Sequence, residues 1–489
     1  MDIPVAIPKA SSEPLPEIAA FLEPFTPLFR RIQSRQSLER YITGLLTDLG
    51  RKNCDTTAAA VAGTSTERLQ HLLTDAEWDP QELDALRVRR LSEKSPEGGI
   101  LVLDDTSFPK KGNRSVGVVR QYCGELGKVA NCQVVVSAHY VADEPQSRAP
   151  LHWPVSARVY LPEEEWANDP ERRKRAHVPE EVGFKTKPQI ALSVVDRALE
   201  WGVPFGFVVA DAGYGDNPEF LKGLQKREVS YVVAVEGTSF GVRKPEEVRA
   251  AEEAGAPPYG GKGQPRKPRP APLYTAEELL GEKLDEGTSS SSSWVEVIWR
   301  EGTKGTLGKR MVAMRAHWGT GSPRHSTTHA RVFTSPEGWL IGERPLPKEG
   351  ADEEKSEETK YYFSDLPEDT SLERLAELAH SRWNIEQFYE DAKGECGLGD
   401  YQGRRWDGLH RHLALSMLAY SFLMVHSSIT EEDQGGDLGA FPPLGGVGEA
   451  HDATGDPQAS ADVVARGSGA VVHRDRPDKD LPAADELTK

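Results

Sequence analysis

Cysteine and long apolar runs are scarce in this sequence, and its 59 basic residues are outnumbered by 77 acidic ones; each shortage bears on what the chain can be. Four cysteines, Cys54, Cys123, Cys132 and Cys396, are scattered without a CxxC pair. That spacing argues against a cysteine zinc site, and a chain of this size does not need a disulfide framework, so reduced thiols in the cytoplasm are expected. The longest apolar stretch, Leu413 to Val425, is broken by Ser416 and Ser421 and is too short to cross a bilayer, so no membrane partner is expected. The opening MDIPVAIPKASSEP has no basic segment followed by an apolar core, so it does not read as a secretory signal. No internal repeat is evident.

The formal net charge is −18, which taken whole argues against a nucleic-acid partner, because phosphate contacts come from Lys and Arg. The deficit is local, however. Residues Thr430 to Lys489 carry a net −8 and Lys348 to Asp369 a net −6. The remainder is close to neutral and can hold basic patches.

With 489 residues the chain has room for two or three domains. Residues 1–95 read as a helical N-terminal domain, a candidate for DNA-end binding. Leu38, Tyr41, Ile42, Leu45, Leu46 and Leu49 recur at helical spacing. A second helical stretch, Thr57 to Leu73, is interrupted at Ala62-Gly63-Thr64-Ser65. A DNA-reading helix-turn-helix and an ordinary helical hairpin both fit it.

From residue 96 the period changes. Ile100 to Leu103 is a continuous apolar run ending in Asp104-Asp105, as expected of a strand buried on both faces. Val134 to Val141, Ala157 to Leu161, Phe205 to Ala210 and Val229 to Val235 read as further strands, and Pro188 to Trp201 as a helix. Asn217-Pro218 marks a helix start. Strands alternating with helices imply an α/β sheet over 96–236. Residues 237–359 read as a β-rich insertion with flexible loops, including the serine run Ser289 to Ser293. Residues 360–428 return to helix. One helix is expected over Ser371 to Lys393, with Thr370 and Glu373 as a capping box and Gly394 as its stop. Residues 429–489, rich in Gly, Ala and Asp, read as a disordered tail.

Three carboxylates stand out. Asp105 and Asp211 are expected at the C-terminal ends of two buried strands, where α/β sheets place their ligand sites. Glu386 shares a helix face with Arg382, Glu390 and Lys393. Taken singly, each is equally consistent with a turn former or a surface ion pair.

The run RWNIEQFYEDAK (Arg382 to Lys393) resembles the Arg-x3-Glu-x6-Lys signature of the IS4-like superfamily of insertion-sequence transposases. LDDTSFPKKG (Leu103 to Gly112), RQYCGELGKVANCQ (Arg120 to Gln133) and VVADAGYG (Val208 to Gly215) resemble the IS701 family within it, whose members carry a DDE superfamily endonuclease domain. The resemblance runs in matching order from about residue 15 to 425. It implies an RNase H-like mixed sheet with flanking helices. The first Asp would lie on the first strand, the second on the fourth and the Glu on a later helix, with a β-rich insertion before the Glu.

By motif the catalytic and metal-binding acids would be Asp105 (Asp104 its neighbour or substitute), Asp211 and Glu386. They would hold two Mg²⁺ ions, or Mn²⁺ in their place. Arg382 and Lys393 fall at positions that hold DNA phosphates. Ala379 stands where the signature has a tyrosine, and His380 or Tyr389 is the candidate replacement.

The implied activity is cutting the ends of an insertion sequence and joining them to target DNA, as a homodimer on double-stranded DNA. A catalytically inactive, transposase-derived DNA-binding protein is the alternative, and a metal-free carboxylate-pair hydrolase is a more distant one. Further candidate DNA contacts are Lys110 and Lys111, Arg172, Arg173, Lys174 and Arg175 with Lys185 and Lys187, and Arg404 and Arg405 with His410 and Arg411. Lys262, Arg266, Lys267 and Arg269 form another group in the insertion.

Overall fold

The computed structural model describes residues 9–432 except 145–149, 257, 259, 262–267, 287–293, 303–304, 322–331 and 347–357. The serine run, Lys262, Arg266, Lys267 and residues 433–489 of the tail therefore lie outside the described residues. The chain divides into two units, Met1–Met424 and Val425–Lys489.

Helices α1 (Pro16–Leu22), α2 (Ile32–Leu46), α3 (Cys54–Ala60), α4 (Thr66–Thr74) and α5 (Pro80–Ser92) open the chain. Helix α2 buries Leu38, Tyr41, Ile42 and Leu45, the apolar positions that its 3.6-residue period aligns. Asn53 caps α3 and Ser65 caps α4, each side chain accepting backbone N–H groups of the first turn.

The sheet follows. Its first half comprises β1 (Gly99–Pro109), β2 (Val119–Cys123), β3 (Lys128–Val141), β4 (His152–Val159), β5 (Phe205–Ala210) and β6 (Ser230–Val235). Helices α6 (Pro170–Arg175), α7 (Lys187–Glu200), α8 (Ala212–Gly215) and α9 (Pro218–Gln225) connect them. Strand β1 runs antiparallel to β3 and parallel to β5, and β5 runs parallel to β6. With β4 on the far edge of β3, the order β4-β3-β1-β5-β6 is the mixed five-stranded arrangement of an RNase H-like fold, with β2 added. Asn217 caps α9 as its Asn-Pro start predicts.

The second half comprises β7 (Gly241–Arg243), α10 (Pro245–Ala254), β8 (Tyr274–Thr275), α11 (Ala276–Glu286), β9 (Val295–Gly302), β10 (Gly305–Thr320), β11 (Phe333–Arg344) and β12 (Lys360–Ser364). These strands extend the same sheet, because β12 pairs with β6, β11 with β12 and β10 with β11. Among the described residues the sheet has twelve strands. Helices α12 (Leu372–His380), α13 (Trp383–Glu395) and α14 (Trp406–Glu432) close the chain. No helix among the described residues is long and apolar enough to cross a membrane.

Three expectations need correction. Strand β1 does not stop at Asp105 but continues to Pro109, because β3 pairs with it as far as Cys132 and buries Thr106, Ser107 and Phe108. The single helix expected over 371–393 is two, broken at Ser381-Arg382. Ser371, not Thr370, caps the first, and the second runs past Gly394 to Glu395. The strand expected at 157–161 lies earlier, at 152–159.

Candidate functional site

The site forms where two neighbouring strands end at different heights. The pairing of β1 with β5 stops at Leu103↔Ala210, but β1 continues beside β3. Past Leu103, therefore, one edge of β1 is uncovered, and Asp104 and Asp105 sit beside that notch. Successive strand residues point to opposite faces, and the two acids find different partners accordingly. Asp104 pairs across the ladder with Ser137, whose hydroxyl is 2.7 Å from the buried Tyr389 hydroxyl of α13. Asp104 thus faces α13. Asp105 faces the other way, where the ammonium of Lys187, at the first turn of α7, lies 3.0 Å from its Oδ2. The Tyr214 hydroxyl donates to the same oxygen at 3.5 Å.

Asp211 follows β5 directly and stands at the N-cap of α8. Its carbonyl accepts the N–H groups of Tyr214 and Gly215 at 3.1 and 2.8 Å. Gly215 lets this short helix lie against β6, since a Cβ there would come within 2.0 Å of the Ala234 carbonyl oxygen. The Asp211 Oδ1 is buried with no hydrogen-bond partner. Glu386 projects from the first turn of α13 and is more than half exposed.

Arg382, at the break between α12 and α13, gathers these groups. Its guanidinium reaches Asp104 Oδ2 at 3.0 Å, Glu386 Oε1 at 2.5 Å and Asp211 Oδ2 at 4.0 Å. Burial pushes the Asp104 carboxyl up to about 7, against the pull of Arg382. Burial likewise raises Asp211, again opposed by Arg382 and reinforced by Asp105. Asp211, Arg382 and Glu386 line one side of a cleft of about 880 Å³, with Ala379, His380 and Trp383 beside them. Among the described residues no three His, Cys, Asp or Glu side chains stand close enough to hold an ion as they are. The positive charge at the centre of the acids is Arg382.

The structure sorts the remaining candidates. Lys393 pairs with Glu125 and lies over the Phe108 ring. Tyr389 is buried on Ser137. His380 bonds Glu343 at 2.7 Å and stacks on Trp299, so neither hydroxyl nor imidazole stands free at the position of Ala379.

Several basic residues hold loops. Lys110 donates to the carbonyls of Tyr401 and Gly399, and burial lowers its ammonium to about 8. Arg173 donates to the Val182 and Pro179 carbonyls. Arg172 lies over the Trp166 ring and donates to the Asn113 and Glu165 carbonyls. Arg405 pairs with Asp75 and Asp407, and Arg411 donates to the Trp78 carbonyl. His410 is buried. Lys111, Lys174, Arg175, Arg404 and Arg269 are exposed.

Sequence reasoning missed the Asp104–Arg382 pair and the specific bond between Lys187 and Asp105. Strand alternation was the available signal. Once β1 runs through Pro109, Asp104 and Asp105 cannot both face α13.

A family model described as DDE superfamily endonuclease matches residues 24–306. That range contains Asp104, Asp105 and Asp211 and ends before Glu386. A protein from Microchaete diplosiphon, described as "Probable transposase for insertion sequence element IS701", is 26% identical over 235 residues, which are 48% of this chain and 57% of that protein. The chain thus spans little more than half the length of this relative.

Proposed function

The chain belongs to the DDE superfamily endonuclease family, and on that premise we propose that it is an insertion-sequence transposase, cutting the ends of its element and joining them to target DNA. The observation that carries this reading is the convergence of Asp104, Asp211 and Glu386, from three separate elements, on the one guanidinium of Arg382.

The donor chemistry of these acids suits a pair of Mg²⁺ ions, and the acids would draw together around them. The donors are carboxylate oxygens, which hard divalent ions prefer, Asp211 keeps a buried oxygen without a partner, and the group already accommodates a cation. Asp211, Glu386 and one or both acids of the Asp104–Asp105 pair would hold them, with Mn²⁺ an acceptable substitute. Two such ions, when bound, activate the attacking oxygen and stabilise the leaving one. Arg382 presents a planar fork suited to bidentate contact with a phosphate. Lys393, tied to Glu125, would reach the DNA only by giving up that partner. Exposed Lys111, Lys174, Arg175 and Arg404 would contact backbone phosphates, whereas Lys110, Arg172, Arg173 and Arg405 shape the loops that carry them. Because two element ends must be cut, the DNA complex would be a homodimer.

Asp211→Asn and Glu386→Gln test the reading on a duplex carrying the element's terminal repeats. Each removes several kcal/mol of charge stabilisation in the transition state, so cleavage in Mg²⁺ is expected to fall at least about a thousandfold, with DNA binding retained. Metal-dependent cleavage surviving in either variant would overturn the proposal. Binding without cleavage by the unaltered chain would instead support an inactive DNA-binding relative, a reading favoured by Ala379 at the signature's tyrosine position.

A further inference from the structure

The structure assigns the β1 contribution to the ion-binding set to Asp104 rather than to Asp105, the acid that the motif alone selects. This rests on the proposed metal-dependent function and sharpens which side chains perform it. Asp104 and Asp105 are adjacent on one strand and therefore face opposite sides of the sheet. Glu386 lies on the α13 side, and so does Asp104, because the two share one guanidinium at 2.5 and 3.0 Å. Asp211, at the end of β5, is within 4.0 Å of the same guanidinium. A cation placed among these acids would meet Asp104, Asp211 and Glu386, and Arg382 already does.

Asp105 lies close enough to Asp211 to push that carboxyl up, but its own bonds run elsewhere. Its Oδ2 is satisfied by Lys187 at 3.0 Å and faces the Tyr214 hydroxyl. Lys187 stands at the start of α7, a helix that buries Ile190, Ala191, Val194, Val195 and Ala198, so its backbone is fixed. In this arrangement Asp105 is a positioning residue that anchors an ammonium at the rim of the notch. Asp104 is also the better built of the two. It is 9% exposed as a residue, its Oδ1 accepts the Asp105 N–H at 2.7 Å, and its Oδ2 points at Arg382. Arg382 would then serve as the resident countercharge, released from the acids to a phosphate when the ions bind.

The test compares Asp104→Asn with Asp105→Asn in the full chain, by two readouts. One is the rise in melting temperature on titration with Mn²⁺ alone, and the other is cleavage of the terminal-repeat duplex. Asp104→Asn is expected to raise the Mn²⁺ concentration at the midpoint by at least about tenfold, and Asp105→Asn by less than about threefold. Cleavage should be lost in the first variant and retained in part in the second. If Asp104→Asn fails to fold, Asp105→Asn decides alone, since a full Mn²⁺ response there excludes Asp105 from the set. Loss of the response in Asp105→Asn with retention in Asp104→Asn overturns the assignment while leaving the proposed function intact. An unaltered chain that neither responds to Mn²⁺ nor cleaves overturns both.

Discussion

Arg87 illustrates how far a residue's role can sit from its appearance in the sequence. It lies in the run Leu86 to Arg90 on α5, where an arginine reads as an ordinary exposed helical charge. In the structure it is among the largest fully buried side chains. Its guanidinium pairs with Asp84 at 3.0 Å, donates to the Pro154 and Val155 carbonyls of β4 at 2.5 and 3.0 Å, and reaches Ser421 of α14 at 3.3 Å. One side chain thus ties the N-terminal helices to the sheet and to the last helix. Arg87→Ala is expected to cost roughly 3–5 kcal/mol, because it strands the Asp84 carboxylate and two carbonyls without a partner. Urea unfolding measures this, and a cost below about 1 kcal/mol would contradict it. The double change Arg87→Met with Asp84→Leu should recover most of the loss. The candidate site was more legible at this scale. Asp211 follows β5 as expected, whereas Glu386, expected inside one long helix, stands in the first turn of a separate one. The choice between Asp104 and Asp105 was not legible, because it depends on which face of β1 meets α13, and that is a property of the tertiary packing.

At the scale of elements, the readings that succeeded were those in which local chemistry and burial agree. Phe205 to Ala210 is a strand at its expected bounds, and Asn217 caps α9. Two of the three misreadings arose where polar residues interrupt the apolar pattern. β1 looked finished at Asp104-Asp105 because those carboxylates end its apolar run, yet the strand continues through them to Pro109. The break at Ser381-Arg382 carries neither glycine nor proline to announce it. That break turns Arg382 toward the acids as the N-cap residue of α13.

Helix α8 is only four residues long and depends on one glycine. Gly215→Ala would drive a methyl group into the Ala234 carbonyl, so α8 or β6 must move, at a cost of about 1–3 kcal/mol. Because Gly215 also donates to the Asp211 carbonyl, the acid moves with it. A displacement near 1 Å predicts cleavage lowered on the order of a hundredfold. DNA binding measured alongside should change little. Unaltered cleavage would mean that α8 does not set the position of Asp211.

Across the whole molecule, buried imidazoles couple folding to acid. His139 Nε2 lies 2.7 Å from His152 Nδ1 beneath α13. Burial holds His139 well below its ordinary value of 6.5, with His152 adding to the effect. Burial also lowers His152, His410 and His412 to about 4. A lowered folded-state value means that the unfolded chain takes up protons first. The stabilising contribution is therefore complete above about pH 6.5 and is lost as pH falls toward 4. Asp104, Asp365 and Asp391, raised by burial to about 7, 6 and 6, act in the opposite sense. Replacing His139 and His152 together by Leu isolates the imidazole part, and that variant should lose less melting temperature between pH 7 and pH 5 than the unaltered chain. Equal losses would refute the coupling. The pairing of β12 with β6 also sets a timetable for synthesis. The strand that covers β6 emerges about 125 residues after it, roughly 6–25 s later at ordinary elongation rates. Until then β6 shows a bare edge able to pair with a neighbouring nascent chain, so polysome crowding and slow codons before Lys360 should govern how much of the protein reaches its native form.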